Sequence, residues 1–479
     1  MRVLFTLKVI TVLLCQSHSA DLNDEIFRLP GLSEPVFFRQ YSGYLQAGST
    51  RRLHYWFVES QNNPREDPVL LWMNGGPGCS SMLGLLTELG PFRIDEGNTT
   101  LHLNPFSWNR VANVIFLEAP AGVGFSYDTS NPTEYFCNDE QTADDNYVAI
   151  LNFFTKFPEF VGNDFYVSGE SYAGVYVPTL VERILTRHDN QINLKGYAIG
   201  NGYLDELRLG NSLIFFGYYH GLWGSNLWTR LTQHCCNGSV SQQACLFHFS
   251  SGPNCAAVVE EATGITDGLN IYNIYDPCED NVKQGILHAN RVSDRTTLIT
   301  HHGRHLLRKS LGLSRRMQKL LQSSRETLRQ APECISDRDI SNYLNLPQVK
   351  AAIHVQESPL TWTTCSDSVN TKYVSQHKTM MPILRALIDS GRLKTLIYNG
   401  DVDMACNFLG DEWFTDSLGY APSSEYKTWK VDAHVAGFFK TYERNVTFVT
   451  LKGSGHMVPQ DKPVEALKMI TNFLTDQPF

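Results

Sequence analysis

No apolar run in this 479-residue sequence approaches the roughly 20 residues a membrane-spanning helix needs. The chain has no G-x-G-x-x-G fingerprint, no G-x-x-x-x-G-K phosphate loop and no H-E-x-x-H motif, so no nucleotide, metal or other cofactor is expected. It has no C-x-x-C pair, which disfavours zinc. It has no excess of basic charge either. With 40 Lys plus Arg against 49 Asp plus Glu, the formal charge is −9, which argues against a nucleic-acid binder. No internal repeat breaks the chain into an array.

What is present describes a large globular protein. Hydrophobic residues make up 42% and aromatic residues 11%, enough to exclude a disordered or collagen-like chain. Arg2 and Lys8, the apolar run Val9–Cys15 and the small residues Ser17–Ala20 read as a secretory signal over residues 1–20. Ten of the eleven cysteines follow it, and Cys235, Cys236, Cys245 and Cys255 crowd together as disulfides do in an oxidising compartment. Asn98, Asn237 and Asn445 head N-glycosylation sequons.

Three zones follow the signal. Val69–Met73, Val114–Leu117 and Phe165–Ser168 are continuous apolar runs, the pattern of parallel strands buried on both faces, with a helix over Glu140–Phe157. This rhythm implies a doubly wound, mostly parallel α/β sheet over 21–203. It is lost over 204–334 and returns over 335–479, with strands at Leu393–Asn399 and Val446–Leu451 and a closing helix at Pro463–Leu474. One α/β core interrupted by an inserted, disulfide-bonded cap accounts for the whole. Inside the cap, 288–330 carries ten Lys plus Arg against Asp294 and Glu326. Leu306, Leu313, Met317, Leu320, Leu321 and Leu328 fall near helical spacing, so a surface-binding basic helix is one reading. An exposed activation segment, with trypsin-type sites at Arg304, Arg308, Lys309, Arg315 and Arg316, is the favoured one. The signal contributes +2 and this stretch +8, so the rest of the chain carries −19.

Chemistry concentrates in three blocks. Gly169-Glu-Ser-Tyr-Ala-Gly174 follows a strand candidate and precedes a helix candidate over Val175–Leu185, the setting of a nucleophile elbow with Ala173 in the last small position. A serine there needs a base and an orienting acid, in the chain order Ser, Asp, His, each beyond a later strand. Asp403 and His456 stand at those places. Asn74-Gly-Gly-Pro-Gly-Cys-Ser-Ser81 lets the backbone approach a bound group, so the amides of Gly76 and Tyr172 are the expected oxyanion donors.

With these blocks, Phe38–Tyr44, Leu53–Ser60, Ala119–Ser126, Asn399–Cys406 and Gly455–Pro459, the sequence resembles the serine carboxypeptidases of the α/β-hydrolase fold, in particular their lysosomal members. The resemblance implies Ser171, Asp403 and His456 as the triad and Asn74, Glu88 and Glu170 as the residues that recognise a substrate's C-terminal carboxylate. Three carboxylates cannot converge while all are ionised, so glutamic acids with raised pKa, and an acidic optimum, are expected. The resemblance further implies bridges Cys79–Cys365, Cys235–Cys255, Cys236–Cys245 and Cys278–Cys334, leaving Cys137 and Cys406 over. It also implies Tyr272 as a pocket wall, a preference for apolar or aromatic residues, excision of the basic stretch, a lysosomal location and a homodimer. Protection of β-galactosidase and neuraminidase belongs to the same expectation. An acyltransferase using the same triad and a non-catalytic protective partner are the rival readings.

Overall fold

The computed structural model of the chain describes residues 22–95, 97–131, 135–187, 192–242, 244–247, 252–266, 268–278 and 337–479. The signal, the basic stretch 288–330 and Cys334 lie outside the described residues.

The strands are β1 (Gln40–Ala47), β2 (Arg51–Val58), β3 (Val69–Met73), β4 (Phe92–Ile94), β5 (Leu101–Leu103), β6 (Asn113–Leu117), β7 (Tyr127–Asp128), β8 (Phe165–Ser171), β9 (Leu194–Gly202), β10 (Lys394–Gly400), β11 (Lys427–Val431), β12 (His434–Tyr442) and β13 (Val446–Leu451). All but the β4–β5 pair join one sheet in the order β1-β2-β6-β3-β8-β9-β10-β13-β12-β11, with β7 beside β2. From β6 to β13 the pairing is parallel, and antiparallel strands close both edges.

Alternate side chains of the central strands enter different cores. Val69, Leu71 and Met73 of β3 pack on one face with Ile115 and Val167, while Leu70 and Trp72 pack on the other with Phe116 and Tyr166. Burial on both faces explains why these strands read as unbroken apolar runs. Helices α1 (Asp139–Lys156) and α2 (Ala173–Thr186) cover the first face through Phe153, Phe154, Leu180 and Val181. The helix Pro463–Leu474 covers the second through Ala466, Met469 and Ile470. This is a doubly wound α/β-hydrolase sheet.

Between β9 and β10 the described chain leaves the sheet. Helices α3 (Glu206–Tyr219), α4 (Ser225–Cys236) and α5 (Pro253–Ile265) gather around a core of their own that includes Phe215, Trp223, Trp228 and Val259. The bonds Cys235–Cys255 and Cys236–Cys245 tie α4 to α5 and to the loop between them. Cys278 is also disulfide-bonded, and Cys137 and Cys406 are free and buried.

The β1–β2 hairpin has no alternating pattern because its polar residues are buried too. His54 reaches Glu118 (2.8 Å) and the Ser42 hydroxyl (2.9 Å), and Glu118 also accepts from Trp362 (2.8 Å) and from Ser80. Ser80 belongs to the Asn74–Ser81 loop, which the Cys79–Cys365 bond and two backbone hydrogen bonds, Ser80 N to Thr364 O and Ser366 N to Gly78 O, fasten to a segment 286 residues away. Cutting so long a loop closure frees much unfolded-chain entropy. Replacing both Cys79 and Cys365 by Ala should cost about 3 kcal/mol and lower the Tm by several degrees in calorimetry.

Candidate active site

The site forms at the carboxyl ends of β3, β8, β10 and β13, where the connecting loops converge. Ser171 is the last residue of β8, and α2 begins at Ala173, so the chain reverses within two residues. The reversal holds Ser171 at φ 63°, a conformation costing a non-glycine residue roughly 1–3 kcal/mol. It also demands small neighbours. A Cβ at Gly169 would stand 2.3 Å from the Met73 carbonyl and 2.6 Å from the Ala173 Cβ. Alanine, the departure from the usual final glycine, therefore fits only because position 169 is bare.

His456 and Asp403 are hydrogen-bonded, Nδ1 to Oδ2, at 2.7 Å, and both are buried. The Asp403 carboxylate also accepts from Ala405 N (2.8 Å), Cys406 N (3.2 Å) and Asn201 Nδ2 (2.8 Å). Asn201 was not legible as a site residue. It sits between Gly200 and Gly202 at φ 40°, one strand from Ser171, whose register partner is Gly202, and its Oδ1 accepts from Gly400 N at 3.1 Å. An asparagine flanked by two glycines at a strand end is the signal that could have marked it. Behind it, Asp411 accepts from Gly202 N and Asn399 Nδ2, and burial pushes its carboxyl up to about 8.

The cap segment Ile271–Ile274 lies between the acid and base loops. Ile271 O accepts from Met404 N and Ala405 N, Ile274 N donates to Val402 O, and Tyr272 O accepts from His456 N. The Tyr272 ring meets the His456 ring edge to face at 5.0 Å. Asp461 accepts from Gly455 N (2.6 Å) and from Asn273 Nδ2 (3.0 Å), joining the histidine loop to the cap a second time.

On the other side of Ser171, Asn74 Nδ2 donates to Glu88 Oε1 and Glu170 Oε1, each at 2.9 Å, and all three residues are buried. Asn74 is held in turn by Trp72 Nε1 and Gly84 N, which donate to its Oδ1. The two glutamates crowd one carboxamide in a buried site, so ionising both at once is costly. Burial raises both carboxyls. Glu170 rises further, with Glu88 and then Asp403 adding to the shift, while His456 and Arg93 partly oppose the shift of Glu88. Next along the chain, Gly75 presses against the serine turn: a Cβ there would lie 2.3 Å from Tyr172 N and 2.8 Å from the Ser171 Cβ. Gly76 (φ 114°) and Tyr172, the expected oxyanion donors, therefore stand on abutting turns, and Asp139 and Ser375 anchor the Tyr172 hydroxyl at 2.8 Å each.

The chemistry available is that of a strained serine, an imidazole oriented by an acid, and a buried carboxyl pair with raised pKa. A family model described as serine carboxypeptidase matches residues 30–476. The mouse lysosomal protective protein is 45% identical over 471 residues, covering 97% of this chain and 96% of that protein. A serine carboxypeptidase of Caenorhabditis elegans is 39% identical, with coverage of 96% and 95%. The crystal structure of a prohormone-processing carboxypeptidase from Saccharomyces cerevisiae is alike in fold, with a TM-score of 0.70 at 24% identity and 96% of each chain covered.

These buried carboxyls make stability depend on pH. Asp411 (raised to about 8), Asp145 (to about 6), Glu88 and Glu170 all bind protons more tightly folded than unfolded, chiefly through burial. Their contribution is complete below the ordinary carboxyl range near pH 4 and is lost as pH rises toward about 8. Thermal unfolding should give a Tm several degrees higher at pH 5 than at pH 8, and Asp411→Asn should reduce the difference.

Proposed function

The chain belongs to the serine carboxypeptidase family, a peptide hydrolase acting at C-termini, and we propose that Ser171, His456 and Asp403 are its catalytic triad. His456 takes the Ser171 proton as the hydroxyl attacks the terminal peptide carbonyl, then returns it to the departing amino acid. Water, deprotonated by His456, then attacks the ester, the Ser171 Oγ–acyl bond breaks, and the shortened peptide leaves as the proton returns to Ser171. Asp403, held by Asn201 and two amides, fixes the imidazole tautomer with Nδ1 protonated. The amides of Gly76 and Tyr172 receive the oxyanion. The mature chain comprises a core of residues 21–203 and 335–479 with an inserted cap.

The observation that carries the reading is the buried Glu88–Glu170 pair bridged by Asn74, one residue from Ser171, with both carboxyls pushed up by burial. A protonated glutamic acid donates to the substrate's carboxylate, whereas an ionised one repels it. Raised pKa values therefore extend binding upward from acid pH, and it fails once both glutamates ionise. An endopeptidase would gain nothing from such a pair.

Further parts of the reading rest on likeness. The likeness to the lysosomal protective protein supports a lysosomal location, while a secretory route, a homodimer and partnership with β-galactosidase and neuraminidase rest on the family resemblance of the sequence alone. Asn98, Asn237 and Asn445 are exposed and suited to carry glycans. Excision of the basic stretch would make the chain a zymogen, and Tyr272 against His456 would favour apolar or aromatic side chains.

Peptides with free and amidated C-termini, digested between about pH 4 and pH 8 before and after limited trypsin treatment, test these points together. Acid-favoured cleavage of free-carboxylate peptides, enhanced by trypsin, is expected, and activity unchanged by trypsin would overturn the zymogen. Glu170→Gln and Glu88→Gln should flatten the pH dependence, and a neutral optimum on free-carboxylate peptides would overturn the role of the pair. Ser171→Ala should lower kcat by roughly ten-thousandfold. If it still protects a glycosidase, binding and catalysis are separate.

A further inference from the structure

Arg93 lies on β4, just after the turn that carries Glu88, and it is half-buried. Its Nη2 donates to the Glu88 main-chain carbonyl, to which Asn104 Nδ2 also reaches at 3.4 Å. Its Nη1 is buried with no partner among the described residues, and none of their carboxylates is in direct contact with the guanidinium. An unpaired buried cation is costly and demands a reason. Burial pushes Arg93 down to about 10, so it remains charged at any pH at which the enzyme would work, and the acidic group acting on it is Glu88.

The charges around the pair explain what such a cation supplies. Glu88 faces Glu170, His456 and Arg93, while Glu170 faces Glu88 and Asp403. Tyr398, whose hydroxyl is buried without a partner among the described residues, is a neutral phenol facing both glutamates. With one proton shared, the pair carries one negative charge, and a bound C-terminal carboxylate makes two. Besides His456, Arg93 is the positive group acting on Glu88.

We propose that Arg93 is a positioning residue for substrate recognition: it holds Glu88 by its main chain and supplies the buried positive charge that lets the singly protonated glutamate pair accept a C-terminal carboxylate. This rests on the pair being the carboxylate-recognition site. The guanidinium acts through Glu88 and need not touch the substrate. It favours carboxylate binding at every pH, and it also lowers the pH at which the pair gives up its proton.

The test compares Arg93→Gln, Arg93→Met and Arg93→Lys with Glu170→Gln, measuring kcat and KM on one peptide as its free acid and as its C-terminal amide across pH. The Gln and Met variants should raise KM for the acid about tenfold while leaving kcat and the amide KM unchanged, and should move the pH at which acid binding fails upward. Arg93→Lys should restore most of the loss. Equal effects on acid and amide, or no effect on either, would overturn the proposal and leave Arg93 a scaffold residue. If Glu170→Gln changes the acid-to-amide ratio and the Arg93 variants do not, only this inference fails; if neither does, the recognition reading fails as well. Calorimetry on Ser171→Ala with the peptide acid, in buffers of different ionisation enthalpy, needs no Arg93 variant. Binding with much less than one proton taken up near pH 5 supports the proposal, and uptake of a full proton overturns it.

Discussion

The carboxamide of Asn74, shared between Glu88 and Glu170, is the interaction on which the rest of the site depends. It brings two carboxyl groups together in a buried site, where ionising both is costly and burial raises the pKa of each. The same residue begins the Gly75–Gly76 turn, whose backbone lies against the serine elbow with no room for a side chain. The residue that bridges the glutamate pair and the proposed oxyanion donor Gly76 are therefore carried by one loop. That loop is fixed at its far end by Cys79–Cys365 and by the contact of Ser80 with Glu118.

Opposite that loop, the acid and base approach from separate strands and are joined by the cap. The segment Ile271–Ile274 hydrogen-bonds to both loops, and Asp461 links the histidine loop to Asn273. The cap is thus tied by main-chain hydrogen bonds to the loops of both Asp403 and His456.

Burial of acids unites the local chemistry with the behaviour of the whole chain. Asp411, Asp145 and the glutamate pair hold protons at pH values where exposed carboxyls have lost theirs. The protein is in this sense adjusted to acid throughout, and the −19 carried outside the signal and basic stretch is partly neutralised by the same protonation.

The α/β rhythm, the ends of the closing helix and the order serine, aspartate, histidine were legible in the sequence because each is written locally: in continuous apolar runs, in a proline start at Pro463, and in small residues around Ser171. The burial of both faces of the β1–β2 hairpin was not, because the polar Ser42 and His54 read as solvent-facing until their buried partners are seen. Asn201, Asp461 and Arg93 were equally hidden. Each matters through a partner distant in sequence, from Asp403 to Asn273, or through a main-chain carbonyl that no side-chain pattern encodes. Sequence determined which groups could react and in what order along the chain they occur. Only the tertiary structure decided which carboxyls are buried together, and hence which of them keep a proton, because desolvation and charge proximity are properties of the packed site and not of any residue alone.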